Sequence, residues 1–161
     1  MSRTALYAGS FDPYTLGHHA IVKKAAALFD EVVVMIAVNT QKRRAFEAPA
    51  MAAAIQQALT DDGINNARVV CHDGLVADYC AGHGIRYYAR GLRNDMDYNY
   101  EENIAQINHL INPALESIYL RSDDPAISSS MIRELLAFGK PVDKYVPEAV
   151  NRIIEKTRNR A

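Results

Sequence analysis

The chain has 161 residues, 49% of them hydrophobic, which suits one self-sufficient domain spanning 1–161. Its formal net charge is −1, so no global basic field points to nucleic acid, and any phosphate binding must come from local clusters. Cys71 and Cys80 have no metal-type spacing and read as half-buried thiols, and no run approaches transmembrane length. Met1 to Leu6 lacks an apolar signal core, so a reducing cytoplasm is expected and a membrane is not.

Short β-branched runs alternate with helical patterns along the chain. Thr4 to Ala8 reads as a strand, and Gly17 to Phe29 as a helix with Ile21, Val22, Ala25 and Leu28 on one face. Glu31 to Val38 is almost continuously apolar, as expected of a parallel strand covered on both faces. Met51 to Leu59 reads as a helix, Arg68 to Cys71 as a strand, Leu75 to Ala81 as a helix and Ile85 to Ala89 as a strand. Asp97 to Ile111 is a long helical segment, and Ser117 to Leu120 a fifth strand. Helices follow at Ser129 to Phe138 and Pro147 to Arg158, parted by Gly139-Lys140-Pro141. This alternation predicts an α/β, doubly wound, five-stranded parallel sheet with helices on both faces.

In such sheets ligands bind beyond the carboxyl ends of the strands, and the unusual polar residues fall there. The first strand runs into Gly9-Ser10-Phe11-Asp12-Pro13-Tyr14-Thr15-Leu16-Gly17-His18. Its glycines permit close backbone approach, and it feeds a helix N-terminus whose free N–H groups favour anions. His18 sits in the first helical turn and can aim a ring nitrogen at the same point; His19 reads as packing or surface. After the second strand comes Lys42-Arg43-Arg44, of which one is expected at the ligand. Gly74-Leu75-Val76-Ala77 follows the third, and is suited to line an uncharged part of a substrate or to fill the core. Arg90-Gly91-Leu92-Arg93 reads as the loop after the fourth strand, with guanidinium forks that match phosphate oxygens. Ile127-Ser128-Ser129-Ser130 opens a helix with three hydroxyls, one of them an expected N-cap.

Cations, hydroxyls and helix N-termini converge on one edge, with no elbow serine, no clear histidine partner for either cysteine and no Walker-type Gly-Lys-Ser/Thr after the first strand. Such a site suits direct attack of one phosphate on another, with catalysis by positioning and charge stabilisation. Gly9 to His18 resembles the signature of the Thr/His-x-Gly-His nucleotidyltransferase superfamily, whose fold is Rossmann-like. Within it, Arg90 to Arg93, Asp97-Tyr98-Asn99-Tyr100-Glu101 and Ile127 to Ser130 are similar to signatures of the bacterial phosphopantetheine adenylyltransferases, and the likeness covers nearly the whole chain.

That resemblance implies transfer of AMP from ATP to 4′-phosphopantetheine, giving dephospho-coenzyme A and pyrophosphate in coenzyme A biosynthesis. It implies catalytic roles for His18, Lys42 and Arg93. For ATP it implies Ser10 and Phe11, by their backbone, with His18, Gly91, Leu92, Arg93, Glu101, Asp124, Pro125, Ala126, Ile127, Ser128, Ser129 and Ser130. For the acceptor it implies Ser10, Lys42, Val76, Arg90, Ile104, Asn108 and Glu134, with Lys42 and Arg90 on its phosphate. It further implies Mg²⁺ arriving with ATP rather than a metal bound by the chain, a hexamer, and feedback by coenzyme A.

Three departures from the family pattern stand out. Position 10 is Ser where Thr is common. Glu47-Ala48-Pro49-Ala50-Met51 replaces the usual Ser/Thr-Leu-Glu-Glu-Arg, which leaves the start of the second helix unassigned before Met51. Ser122 to Ala126 is about two residues short and lacks the usual Trp or Tyr, so weaker discrimination of the base is expected. The competing readings fit less well. Nicotinate mononucleotide is an alternative acceptor, and cytidylyl transfer is disfavoured because Ile127 to Ser130 differs from that group's Arg-Thr-x-Gly-Ile-Ser-Thr stretch. A non-catalytic ATP-binding module would not need the cationic path through His18, Lys42, Arg90 and Arg93, and a flavodoxin-like carrier would not need the Gly17-His18 loop.

Overall fold

The computed structural model describes residues 2–160, position 95 by its backbone alone; both ends of the expected 1–161 span lie outside these residues. Among the described residues the order is β1 (Thr4–Gly9), α1 (Leu16–Leu28), β2 (Glu31–Ala37), α2 (Ala48–Asp61), β3 (Ala67–His72), α3 (Val76–Gly82), β4 (Tyr87–Leu92), α4 (Asp95–Ile111), β5 (Glu116–Arg121), α5 (Ser129–Ala137) and α6 (Glu148–Arg160). The strands form one five-stranded sheet in the order β3-β2-β1-β4-β5, every neighbouring pair parallel. The doubly wound sheet expected from the alternation is present.

β2 shows why. Val32, Val33, Val34, Met35 and Ile36 are all fully buried, because successive side chains enter opposite faces and both faces are covered. Val32, Val34 and Ile36 join a core with Ile21 and Val22 of α1, Met51 and Ile55 of α2, and Ile154 of α6. Val33 and Met35 join a second core with Ala77 and Cys80 of α3. Cys80 is therefore buried, whereas Cys71, on edge strand β3, is exposed; neither is half-buried as expected.

Most expected bounds move by one or two residues, α4 among them, which starts at Asp95; the shifts in α2 and β4 bear on the site. α2 begins at Ala48, ahead of the expected Met51, with Pro49 in its first turn, where the missing N–H leaves no helical bond unmade. Glu47 to Met51 is therefore a helix start without a side-chain cap. β4 runs from Tyr87 to Leu92 instead of Ile85 to Ala89, so Arg90 and Gly91 lie on a strand and not in a loop. Their pairing with Tyr119 and Leu120 of β5 extends the ladder through residues that read as polar loop.

Strand order reverses between β1 and β4: the chain leaves β1 for β2 on one side and returns to β4 on the other. A crevice at their carboxyl ends follows from that reversal. At the far edge, β5 has no fully buried residue, and α4 beside it exposes Met96, Ile107 and Leu110.

Candidate active site

The crevice holds a cavity of about 400 Å³, lined by the ends of β1 and β4 and by residues at the starts of α1, α4 and α5. The loop after β1 is built around Phe11. Its ring is buried, with centroids 5.4 Å from Tyr7, 5.4 Å from Tyr14 and 4.9 Å from His18. Turning the ring inward places Phe11 at φ 45°, a region that non-glycine residues seldom occupy. Gly9 makes room, because a Cβ there would lie 2.9 Å from the ring. Ser10 and Phe11 both line the cavity.

Thr15 then caps α1, its side chain accepting from the His18 N–H at 3.3 Å. His18 returns the bond, its Nδ1 accepting the Thr15 N–H at 3.0 Å. This is a capping box with histidine in the place usual for Glu or Gln. Because Nδ1 accepts, the proton of the neutral ring sits on Nε2. Burial, then the charges of Arg93 and Arg90, bring the His18 pKa down from 6.5 to about 4. Near neutrality His18 is therefore an uncharged Nε2–H donor at the cavity wall. His19 is structural: its Nε2 donates to Asp62 at 2.7 Å and its Nδ1 accepts the buried Tyr14 hydroxyl at 2.9 Å.

The start of α5 meets α1 here. Ser128 caps α5 by accepting the Met131 N–H at 3.1 Å, and the Ser129 hydroxyl donates to the Pro13 carbonyl at 2.7 Å. A Cβ on Gly17 would meet the Ile127 carbonyl at 3.4 Å, which places the starts of α1 and α5 side by side. Arg133, one turn into α5, donates to the Asp12 carbonyl at 2.7 Å and to the Ser130 hydroxyl at 3.3 Å.

Arg90 donates to both oxygens of Glu101, from Nε at 2.6 Å and Nη2 at 2.8 Å. Its Nη1 reaches the Ala8 carbonyl at 2.7 Å and the Tyr88 hydroxyl at 2.9 Å. Burial is the largest single influence and opposes this charge, but the Glu101 bonds together with the fields of Tyr88, Glu101 and Tyr7 outweigh it and the Arg90 pKa is raised. Arg93 is tied more loosely to Asp97, by its backbone N–H and Nε at 3.0 Å, and it holds that carboxyl below the usual range. Three guanidinium groups thus face two carboxylates at the cavity, each carboxylate filling a fork that a phosphate could fill.

Of the residues singled out from sequence, Ser10, Phe11, His18, Arg90, Gly91, Arg93 and Glu101 line the cavity together, as do Ile127 to Ser130. Leu92, Asp124, Pro125 and Ala126 do not; the last three are exposed on the loop before α5. Lys42 is exposed on the loop after β2, outside the lining. Val76 starts α3, Ile104 and Asn108 lie on α4, and Glu134 is exposed on α5, all outside it. The cavity adds Tyr100, Asp97 and Arg133, which the sequence reading did not assign to it. Arg133 stands three residues after Ser130 on α5, a spacing that carries a signal because helical neighbours share a face. Arg93 lies before α4 begins, so its pairing with Asp97 had no such signal.

The Cytidylyltransferase-like family model matches residues 6–135. A phosphopantetheine adenylyltransferase of Streptococcus pyogenes serotype M2 (strain MGAS10270) is 40% identical over 158 residues, covering 97% of this chain and 96% of its own. The protein of that name from serotype M5 (strain Manfredo) matches to the same extent. A solved chain from Vibrio parahaemolyticus, named for a nicotinate-nucleotide adenylyltransferase, superposes with a TM-score of 0.71 at 17% identity, covering 97% of this chain and 93% of that one; it shares the fold. The crevice built on Gly9 to His18 and these relatives agree: the chain belongs to the cytidylyltransferase-like nucleotidyltransferases and, within them, to the phosphopantetheine adenylyltransferase family.

Proposed function

We propose that this chain transfers the adenylyl group of ATP to 4′-phosphopantetheine, giving dephospho-coenzyme A and pyrophosphate in coenzyme A biosynthesis. The observation that carries this reading is His18, a neutral Nε2–H donor fixed through Nδ1 where two helix N-termini converge. An oxygen of the acceptor phosphate attacks the α-phosphorus of ATP, and the bond from that phosphorus to the bridging oxygen of pyrophosphate breaks. His18 donates to the oxygen on which charge grows. The N-termini of α1 and α5, with Ser128 to Ser130, receive the triphosphate. Arg93 is the more exposed of the two paired arginines, and exchanges Asp97 for a phosphate oxygen. Glu101 fills the Nε–Nη2 fork of Arg90 and so fixes that guanidinium at the cavity.

Arg90 keeps an Nη2 N–H for the acceptor phosphate, and Lys42 joins it by extending its flexible stem across the mouth. The pantetheine arm lies along Val76, Ile104 and Asn108. The Asn108 Nδ2 is buried without a partner among the described residues, and a pantetheine amide carbonyl would satisfy it. Both cavity carboxylates already accept from arginines. The donor set thus fits Mg²⁺ held by the phosphates of incoming ATP, where it neutralises their charge. The chain works in a reducing cytoplasm as a hexamer, and coenzyme A competes at the acceptor groove. Among the described residues no helix is long and apolar enough to cross a membrane.

The test is pyrophosphate release from Mg·ATP with phosphorylated acceptors added one at a time. Phosphopantetheine should support turnover and nicotinate mononucleotide should not. Turnover with neither, or only with the second, would refute the proposal.

A further inference from the structure

We infer that Arg44 is a positioning residue that sets the nucleotide-facing backbone of the loop after β1 from behind, without touching the nucleotide. The inference rests on reading that loop as the ATP loop. Arg44 comes from the neighbouring loop after β2 and does not line the cavity. Its Nη1 donates to the Ser10 carbonyl at 2.7 Å, its Nη2 to the Phe11 carbonyl at 3.3 Å, and its Nε to the Phe46 carbonyl at 2.8 Å. Asp12 closes the lacing in return. Its carboxylate accepts the Ala45 and Phe46 N–H groups at 2.8 and 2.9 Å and lies 3.8 Å from Nη2 of Arg44.

In a trans peptide the N–H points opposite to the C=O. By holding the Ser10 and Phe11 carbonyls, Arg44 turns the Phe11 and Asp12 N–H groups away from itself. Neither N–H has an acceptor among the described residues. Phe11 also stands at φ 45°, which persists only where its surroundings over-determine it. Three carbonyls on one planar fork provide that, and a lysine, a single point of charge, cannot hold all three in the same geometry.

The experiment compares Arg44→Met, which keeps the stem but not the fork, with Arg44→Lys and the unaltered protein. KM is measured for ATP and for phosphopantetheine, alongside kcat, Mg·ATP binding by calorimetry and thermal melts. Arg44→Met should raise KM for ATP roughly tenfold and leave KM for the acceptor within about twofold, with Arg44→Lys between. Equal losses for both substrates, or an unchanged ATP KM in folded Arg44→Met, would overturn the inference. Should Arg44→Met fail to fold, Arg44→Lys decides alone: an ATP-selective rise supports it, and no selectivity refutes it. If the unaltered protein proves inactive with phosphopantetheine, the function proposed above fails. The calorimetric ratio for Mg·ATP then still tests Arg44.

Discussion

Replacing His18 separates the two jobs of its ring nitrogens, capping at Nδ1 and donation at Nε2. His18→Ala should lower kcat by roughly 10²–10³-fold, as losing other transition-state donors does. It should also destabilise the chain by about 0.5–2 kcal/mol, because the Thr15 N–H loses its acceptor. His18→Gln, which can restore the capping box, should recover stability but not kcat; recovery of both would show that an imidazole Nε2–H is not required. The depressed pKa adds a pH signature. The unfolded chain binds the proton first, so this stability is complete above about 6.5 and is lost as pH falls toward about 4. Melts of the unaltered protein and His18→Gln should diverge across that window, and parallel curves would contradict the assignment. Arg90 calls for a different design. Arg90→Ala strands the buried Glu101 carboxylate and should cost about 3–5 kcal/mol. The double change Arg90→Met, Glu101→Met should recover much of the loss in thermal melts. If it melts as low as the single variant, the pair is not the source of the cost. Arg93 is free of this difficulty, and its alanine variant reports directly on ATP use.

Between β5 and α5 the chain has only a short loop, and α1 holds it. Lys24 donates to the Arg121 carbonyl and to the Asp123 carboxylate, both at 2.6 Å. The shortened, non-aromatic stretch is thus anchored at its start, while Asp124 to Ala126 stay exposed. A stacking ring is worth about 1–3 kcal/mol on a nucleobase in single-stranded complexes, so its loss should weaken base choice while leaving phosphate chemistry intact. The expected result is appreciable activity with GTP. Grafting the longer aromatic loop should raise the ATP-to-GTP ratio of kcat/KM, and an unchanged ratio would mean that the loop does not read the base. This element also shows what sequence can and cannot deliver. Ser128 to Ser130 were legible because hydroxyls before a helix have a mechanical use. Lys24, 97 residues before Arg121, offered no local signal. Arg44 was visible only as one of three basic residues, since nothing in Lys42-Arg43-Arg44 says which side chain turns inward.

The whole sheet was readable because burial on both faces leaves an unbroken apolar run in β2, whereas β4 was misplaced because Arg90 and Gly91, near its end, serve strand and site together. The far edge is where the proposed assembly can be tested. β5 is nowhere fully covered and Leu110 on α4 is 82% exposed, an arrangement that invites a second copy. Leu110→Glu should therefore shift the proposed hexamer toward smaller species in sedimentation velocity; an unmoved distribution would place the contact elsewhere. A last consequence follows from the unequal cysteines. Burial lifts the Cys80 thiol to about 11 within the core closed by α3, a helix of 7 residues, while Cys71 faces solvent. The molecule therefore carries its own stopwatch for the detachment of that one short helix. A thiol-reactive dye should label Cys71 at once and Cys80 only as fast as α3 lifts away. Val76 begins α3 and belongs to the proposed acceptor groove, so phosphopantetheine should slow the second, late phase and Mg·ATP should not. A single fast phase for both thiols would show that α3 is not held shut.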